Sequence, residues 1–348
     1  MMSAISRMRF PAVLKPAKGS ASSGVVRVES GEEAMCQFLK RRQATAEMAH
    51  HDEVLILEEY IDGPEFGVEL VLQAGRVVFC SVMDAAKQSS GAYFQGTGRS
   101  FPSGQTLAVQ AQVASHCIAA ASALGLTSGV LDMDVRYSES SGVRVLEVNA
   151  RMGGGSVCVM HSLVYGLDLV EVHLRALLGV SVERLAALMP IDPHMHYEAG
   201  WVMSPHDGVT VGVAHFVEKL SSRFCQHPHV VEIVALVGDG KTAVGYHSNG
   251  LPTSLIQVVT KAGEKWLAQQ VLEMVLSTAE AAIRELVFDG EALLGFMARE
   301  IAPVLASSPV ATAVAAVVGG VGAVGVPMPG LGMPMPGTAV PKLPALAE

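Results

Sequence analysis

The sequence predicts an α+β fold, on three observations. Short runs of alternating apolar residues, separated by glycine-containing turns, recur from residue 12 onward and read as strands with hairpin-length connections. Runs with apolar residues spaced three and four apart interrupt them and read as amphipathic helices. The order of the two kinds lacks the regular strand–helix–strand alternation of a doubly wound parallel sheet.

Taken in order, strands are expected over residues 12–15, 25–28, 54–59, 67–72, 77–83, 129–135 and 143–148. Helices are expected over 32–42, 106–124 and 162–178, with Gly125 and Gly179 ending the last two. The prolines of 190–193 mark a boundary. Beyond it the expectation is strands over 209–217, 230–236 and 254–260 and a closing helix over 264–286. The 348 residues are more than one core usually supports. The domain reading is therefore residues 1–190, a smaller α+β domain over 191–302, and a low-complexity tail over 303–348. In the tail only Lys342 and Glu348 are charged, and its Pro-Met-Pro-Gly repeats cannot pack a core by themselves.

Charge and cysteine usage exclude several classes. With a net charge of -9 and no basic block longer than Lys40-Arg41-Arg42, the chain has no electrostatic footprint for a nucleic-acid backbone. Cys36, Cys80, Cys117, Cys158 and Cys225 lie far apart with no C-x-x-C pair, which suits reduced thiols and not a zinc site. The N-terminus has no apolar stretch long enough for a signal peptide, so a cytoplasmic location is expected. The uncharged run 310–326 is short for a crossing of roughly 20 residues and rich in Gly and Ala, so no membrane partner is expected. The histidines, His161 among them, form no H-E-x-x-H or similar ligand set and read as packing or surface residues.

Three segments carry chemistry. Residues 13–26 place Lys15 at the end of an apolar strand, followed by a loop containing Gly19, Ser20, Ser22, Ser23 and Gly24. Small residues let backbone N–H groups approach anionic oxygens, and the lysine adds a point charge. Alone, the segment reads more readily as a flexible hairpin around a surface lysine. Residues 58–69, EEYIDGPEFGVE, put four glutamates around a Gly-Pro turn, either to accept ribose hydroxyls or simply to face water. The sharpest segment is 129–155, GVLDMDVRYSESSGVRVLEVNARMGGG. There Asp134 and Glu147 fall on successive strands, and Asn149 shares a strand face with Glu147. Such a face within apolar strands needs something to satisfy its charges, and a hard cation bridging phosphates is the oxygen-rich solution. Flanking Val, Leu and Met argue that these acids are buried. Arg151 follows on that face. Arg99, in the glycine-rich stretch after Lys87, is a further candidate ahead of Lys87 itself.

In this order and spacing the three segments resemble the C-terminal part of the ATP-grasp superfamily, especially its carboxylate–amine ligases. The resemblance is recognisable over residues 10–180 and looser over 195–288. It implies an ATP-grasp fold, incomplete at the N-terminus, with a small C-terminal α+β domain. It also implies an ADP-forming ligase joining a small-molecule carboxylate to an amine, amino acids or related compounds, through an acyl phosphate. Its cofactors would be ATP and Mg²⁺, with Mn²⁺ as the alternative ion. By the resemblance, Lys15 and Gly19 to Gly24 hold phosphates, and Glu58, Glu59, Tyr60 and Ile61 form the linker that reads adenine. Glu65 takes the ribose hydroxyls. Asp134, Glu147 and Asn149 are the metal ligands. Arg151, with Gly153 and Gly154, holds the transferred phosphate and the substrate carboxylate, and Arg99 assists. Asp134 stands where many relatives have Glu, and Asp132 where His is common. Such ligases carry a Rossmann-like domain and another phosphate-binding lysine ahead of the first strand, which residues 1–14 do not supply. The alternative expectation is thus a non-catalytic ATP-binding module or one piece of a split enzyme, assembled as a homo-oligomer or with the other half on another chain.

Overall fold

Lys15 and the segment it anchors sit in a small antiparallel sheet at the start of the chain. The computed structural model describes residues 2–19, 22–47, 54–86, 94, 96–244, 253–283 and 287–288. After a single helical turn, α1 (Met2–Ile5), strand β1 (Ala12–Pro16) lies between β2 (Val26–Val28) and β3 (Leu55–Glu59). Ala12, Leu14, Val26 and Val28 pack with Ala34 of helix α2 (Gly31–Glu47). The alternation of β1 then puts Lys15 on the opposite face, where Glu58 of β3 meets it.

Eight of the remaining strands build an antiparallel sheet. Its elements are β4 (Glu65–Gln73), β5 (Arg76–Ala85), β6 (Gly98–Phe101), α3 (Leu107–Ala123), β7 (Gly129–Ser138), β8 (Gly142–Asn149), α4 (Ser156–Tyr165), α5 (Leu169–Leu177), a 3-10 turn at Glu183–Ala187, and β9 (His196–Met203). Then follow β10 (Gly208–Thr210), α6 (Val213–Phe224), β11 (Val230–Ala235), β12 (Thr242–Ala243), β13 (Ser254–Ala262), α7 (Lys265–Ile283) and β14 (Val287–Phe288). The strand order is β11-β13-β9-β6-β5-β4-β7-β8, while β10, β12 and β14 form a separate small sheet. On one face α3 covers Phe66, Val68, Leu70, Leu131, Met133 and Val135 with Val113, Cys117 and Ala121. On the other, α4 and α5 cover Val71, Phe79, Met83, Phe101 and Val130. That second face turns polar toward Glu65, Gly67, Glu69, Asp132 and Asp134, and this is where the site lies. The prolines at 190–193 fall between the 3-10 turn and β9, and β9, β13 and β11 continue the same sheet beyond them.

Strands β6 and β9 are not among those expected, and two expected elements take another form. The expected strand over 209–217 ends at Thr210, and α6 begins at Val213. Gly212 takes a left-handed conformation (φ 72°), the Asp239 carboxylate accepts the Val213 N–H, and Val213, Val217, Leu220 and Phe224 form a buried helical stripe. The expected single helix over 162–178 is two helices, with a left-handed Gly166 ending α4. Asp168 caps α5 by accepting the N–H groups of Val170 and Glu171. Among the described residues no single helix is long and apolar enough to cross a membrane; α4 and α5 meet that composition only together, across a 94° bend. The tail over 303–348 lies outside the described residues.

A buried acid beneath α7 gives the first prediction. Glu198 accepts hydrogen bonds from Ser100 (2.6 Å) and Gln269 (3.3 Å), while Lys265 of the same helix pairs with Asp84 (3.1 Å). Burial raises the Glu198 carboxyl from 4.5 to about 7, the Ser100 hydrogen bond and Lys265 opposing and Asp84 reinforcing. The native state therefore holds an extra proton between those values, and this group's contribution to stability falls as pH rises from 4.5 to 7. Glu198→Gln should flatten that slope and gain on the order of 2 kcal/mol over wild type at pH 8. Urea unfolding at pH 5 and pH 8 measures it, and parallel curves for the two proteins would refute it.

Candidate nucleotide and metal site

The register of three strands assembles the site. On the polar face, Glu69 of β4 stands opposite Asp132 of β7, Gly67 opposite Asp134, and Glu65 opposite Arg136. Across the other edge of β7, Asp134 stands opposite Glu147 and Asp132 opposite Asn149. A bulge makes this possible. Val135 pairs with Val145 but Asp134 pairs with Glu147, so Leu146 is the extra residue that shifts the phase of β8. Val143, Val145 and Val148 thereby stay on the α3 face while Glu147 and Asn149 turn toward Asp134 and Asp132.

The acids are not equally buried, against the expectation that all of them lie among apolar neighbours. Asp134 and Asn149 are half-buried, but Glu147 is exposed. The reason is position, because β8 is the edge strand of the sheet and nothing in the strand order lies beyond it. Burial raises the Asp134 carboxyl to about 7, with Asp132, Glu65 and Glu147 adding to the shift and Arg99 opposing it. Glu69, fully buried, is raised well above its ordinary value by burial first and then by Asp132.

Arg99 reaches this cluster over a missing side chain. A β-carbon at Gly67 would lie 2.5 Å from Arg99 Nη1, so the absence of one lets the guanidinium cross β4 beside Asp134. Arg151 Nη1 donates to Asp132 Oδ2 (2.9 Å) and to the Met152 carbonyl (2.9 Å), and the arginine side chain is 54% exposed, open to a ligand. The Gly153 N–H donates to Glu69 Oε1 (3.0 Å), and any side chain at Gly153 would strike that carboxylate. Gly154 has open space beside it.

The residues expected to meet the nucleotide lie on the small sheet and on the linker that follows it. Lys15 Nζ pairs with Glu58 Oε1 at 2.5 Å. Gly19, Ser22 and Ser23 are exposed on the β1–β2 loop, Ser22 with φ 56° and Gly24 with φ 72°, and the Arg41 guanidinium of α2 packs against Gly24. Ser20 and Lys87 lie outside the described residues. Glu59 ends β3 exposed. The Tyr60 N–H bonds the Pro11 carbonyl, and its ring lies under Arg27 (4.3 Å) and near Phe94 (6.2 Å). Arg136, almost fully buried, donates to Glu65 Oε2 through Nε (3.0 Å) and Nη2 (2.9 Å), and to the Ile61 carbonyl through Nη1 (2.7 Å). It ties the linker to β7.

Arg136 and Glu69 are the residues the sequence reading did not single out. Both were accessible through period-two alternation: Arg136 follows Asp132 and Asp134 on one face, and Glu69 follows Glu65 and Gly67. His161 is a packing residue, as expected. It is fully buried, and burial lowers it to about 4; Nδ1 donates to the Val157 carbonyl and Nε2 accepts from the Ser81 hydroxyl, both at 2.7 Å.

The donor set fits a hard cation. Asp134, Glu147 and Asn149 offer oxygen ligands from neighbouring positions on β7 and β8, and a cation would offset both the burial and the neighbouring carboxylates that raise Asp134. Among the described residues no three His, Cys, Asp or Glu side chains converge as a metal site on their own, so a cation held here would need Asn149 and ligand oxygens as well.

Residues 8–160 match the ATP-grasp domain family. Carnosine synthase 1 of Gallus gallus is 29% identical over 201 residues, 56% of this chain and 21% of that protein. The chain thus spans about a fifth of the length of such relatives. Among solved structures, the L-amino acid ligase of Bacillus licheniformis superposes with a TM-score of 0.61 at 19% identity, covering 79% of this chain and 64% of that one. The carboxyaminoimidazole ribonucleotide synthase of Aspergillus clavatus, solved with ATP, gives 0.57 at 15% identity over 80% of this chain and 65% of that one. Residues 8–160 thus resemble the ATP-grasp domain family, the described residues share the ATP-grasp fold, and the chain is similar over part of its length to carnosine synthase 1 and to an L-amino acid ligase.

Proposed function

We propose that this chain provides the ATP- and metal-binding part of an ADP-forming ligase that joins a carboxylate to an amine. The observation that carries the reading is the single sheet face on which Asp134, Glu147 and Asn149 lie next to Arg99 and Arg151, with the Lys15 hairpin and the 60–64 linker alongside. The likeness to carnosine synthase and to an L-amino acid ligase supports amino acids or related compounds as substrates. Free thiols at all five cysteines suit the cytoplasm.

In this reading the backbone of Glu58 to Ile61 meets the adenine edge, and Glu65, held by Arg136, accepts the ribose hydroxyls. Lys15 exchanges Glu58 for phosphate oxygens, with the N–H groups of the Gly19–Gly24 loop around them. Asp134, Glu147 and Asn149 would hold Mg²⁺, or Mn²⁺, whose contribution when bound is to neutralise phosphate charge. A substrate carboxylate oxygen attacks the γ-phosphorus, the bond to the β–γ bridging oxygen breaks, and ADP departs. The amine nitrogen then attacks the acyl carbon, loses a proton, and phosphate leaves. Arg151 and Arg99 stabilise the charge that develops on the transferred group, and no side-chain nucleophile takes part.

The test is ADP release from Mg-ATP against a panel of amino acids, with mass spectrometry of the product. Release that needs both a carboxylate and an amine, with an amide formed, is the expected result. Release driven by bicarbonate would move the chain to a carboxylase-type reaction, and nucleotide binding without turnover would favour the non-catalytic module.

A further inference from the structure

The proposed chemistry leaves a buried pair of acids without a task. Glu69 and Asp132 face each other across β4 and β7, 0% and 5% exposed, in the strands that carry the site. Their outer oxygens hold the loop that follows β8. Glu69 Oε1 accepts the Gly153 N–H at 3.0 Å, and Asp132 Oδ2 accepts Arg151 Nη1 at 2.9 Å. The Asp132 N–H also donates to the Arg151 carbonyl (2.8 Å), so Arg151 is gripped at backbone and side chain. The other two oxygens, Glu69 Oε2 and Asp132 Oδ1, are fully buried and accept no hydrogen bond from another group among the described residues. Two acids are expensive to bury, and hydrophobic packing alone would not retain them. A β-carbon at Gly153 would collide with the Glu69 carboxylate and with Val157, so the loop rests directly on Glu69.

We propose that Glu69 is a positioning residue: it seats the Gly153 backbone and, through Asp132, sets the direction in which Arg151 meets the transferred phosphoryl group and substrate carboxylate. The inference rests on the reading of Arg151 given above. It requires of residue 69 an acceptor toward Gly153 and a hydrogen-bonding partner toward Asp132, and no negative charge. A metal ligand or a general base at the same position would require the charge.

Two near-isosteric variants separate these roles. Glu69→Gln keeps an oxygen for the Gly153 N–H and offers an N–H to Asp132 Oδ1, so its kcat should stay within about threefold of wild type. Glu69→Met fills the same volume but supplies neither contact. Its kcat should fall about 100-fold, the scale of a misplaced catalytic group. Affinity for a slowly hydrolysed ATP analogue should remain within about threefold, because the linker residues are untouched. Loss of activity in Glu69→Gln equal to that in Glu69→Met would overturn the proposal, as would full activity in Glu69→Met. Hydrogen exchange over residues 151–155 provides the readout that is independent of turnover: Gly153 should be protected in wild type and Glu69→Gln and exchange at least tenfold faster in Glu69→Met. If wild type turns over no substrate pair, the ligase reading fails, and unchanged exchange in Glu69→Met would separately sink the positioning role.

Discussion

Glu147→Gln should lower magnesium-dependent ADP release by about 1,000-fold or more, since a bound ion that neutralises phosphate charge is worth several kcal/mol in the transition state. The variant should also fold as well as wild type. Glu147 is exposed on an edge strand, and surface changes of this kind stay within about 0.5 kcal/mol. Its cross-strand neighbour supplies a second readout. Glu147 is one of the charges that raise the Asp134 carboxyl, so in the variant Asp134 should titrate below its value of about 7. Undiminished turnover in a folded Glu147→Gln protein would remove Glu147 from the metal shell.

The second large effect is expected at a glycine. In Gly67→Ala the new methyl would meet Arg99 Nη1, the far end of a flexible side chain, and not backbone. The strand should therefore survive, helped by about 0.4–1 kcal/mol from a stiffer unfolded chain. The guanidinium should not keep its place. Displaced, it no longer offsets Asp134 and Glu69, and kcat should fall about 100-fold, in the range for loss of one preorganised charge. A double-mutant cycle with Arg99→Met makes the test specific: once the guanidinium is gone, Gly67→Ala should cost nothing further. Additive losses would show that Gly67 acts by some route other than Arg99.

What the sequence revealed and what it concealed follow from the range of the interactions. Glu147 and Asn149 could be placed on one face because a strand has a period of two, and Asp134 could be brought near them because only a short turn at Ser140 to Gly142 intervenes. The phase of the two strands could not be read in the same way, since the bulge at Leu146 depends on which valines the α3 core takes. Nor could the exposure of Glu147, because a strand becomes an edge strand only through the order of the whole sheet. Glu69 and Gly153 are 84 residues apart, and no local pattern announces their hydrogen bond. The end of α4 is different. Gly166 and the Asp168 cap are local signals of a helix break, and the apolar periodicity on either side obscured them.

Calorimetric titration of the purified chain with a slowly hydrolysed ATP analogue, with and without Mg²⁺ and beside Glu147→Gln, tests the central claim most directly. The account predicts binding that depends on Mg²⁺ and weakens at least tenfold in the variant. A folded chain that binds no nucleotide, or binds it equally well without the ion and in Glu147→Gln, would contradict it.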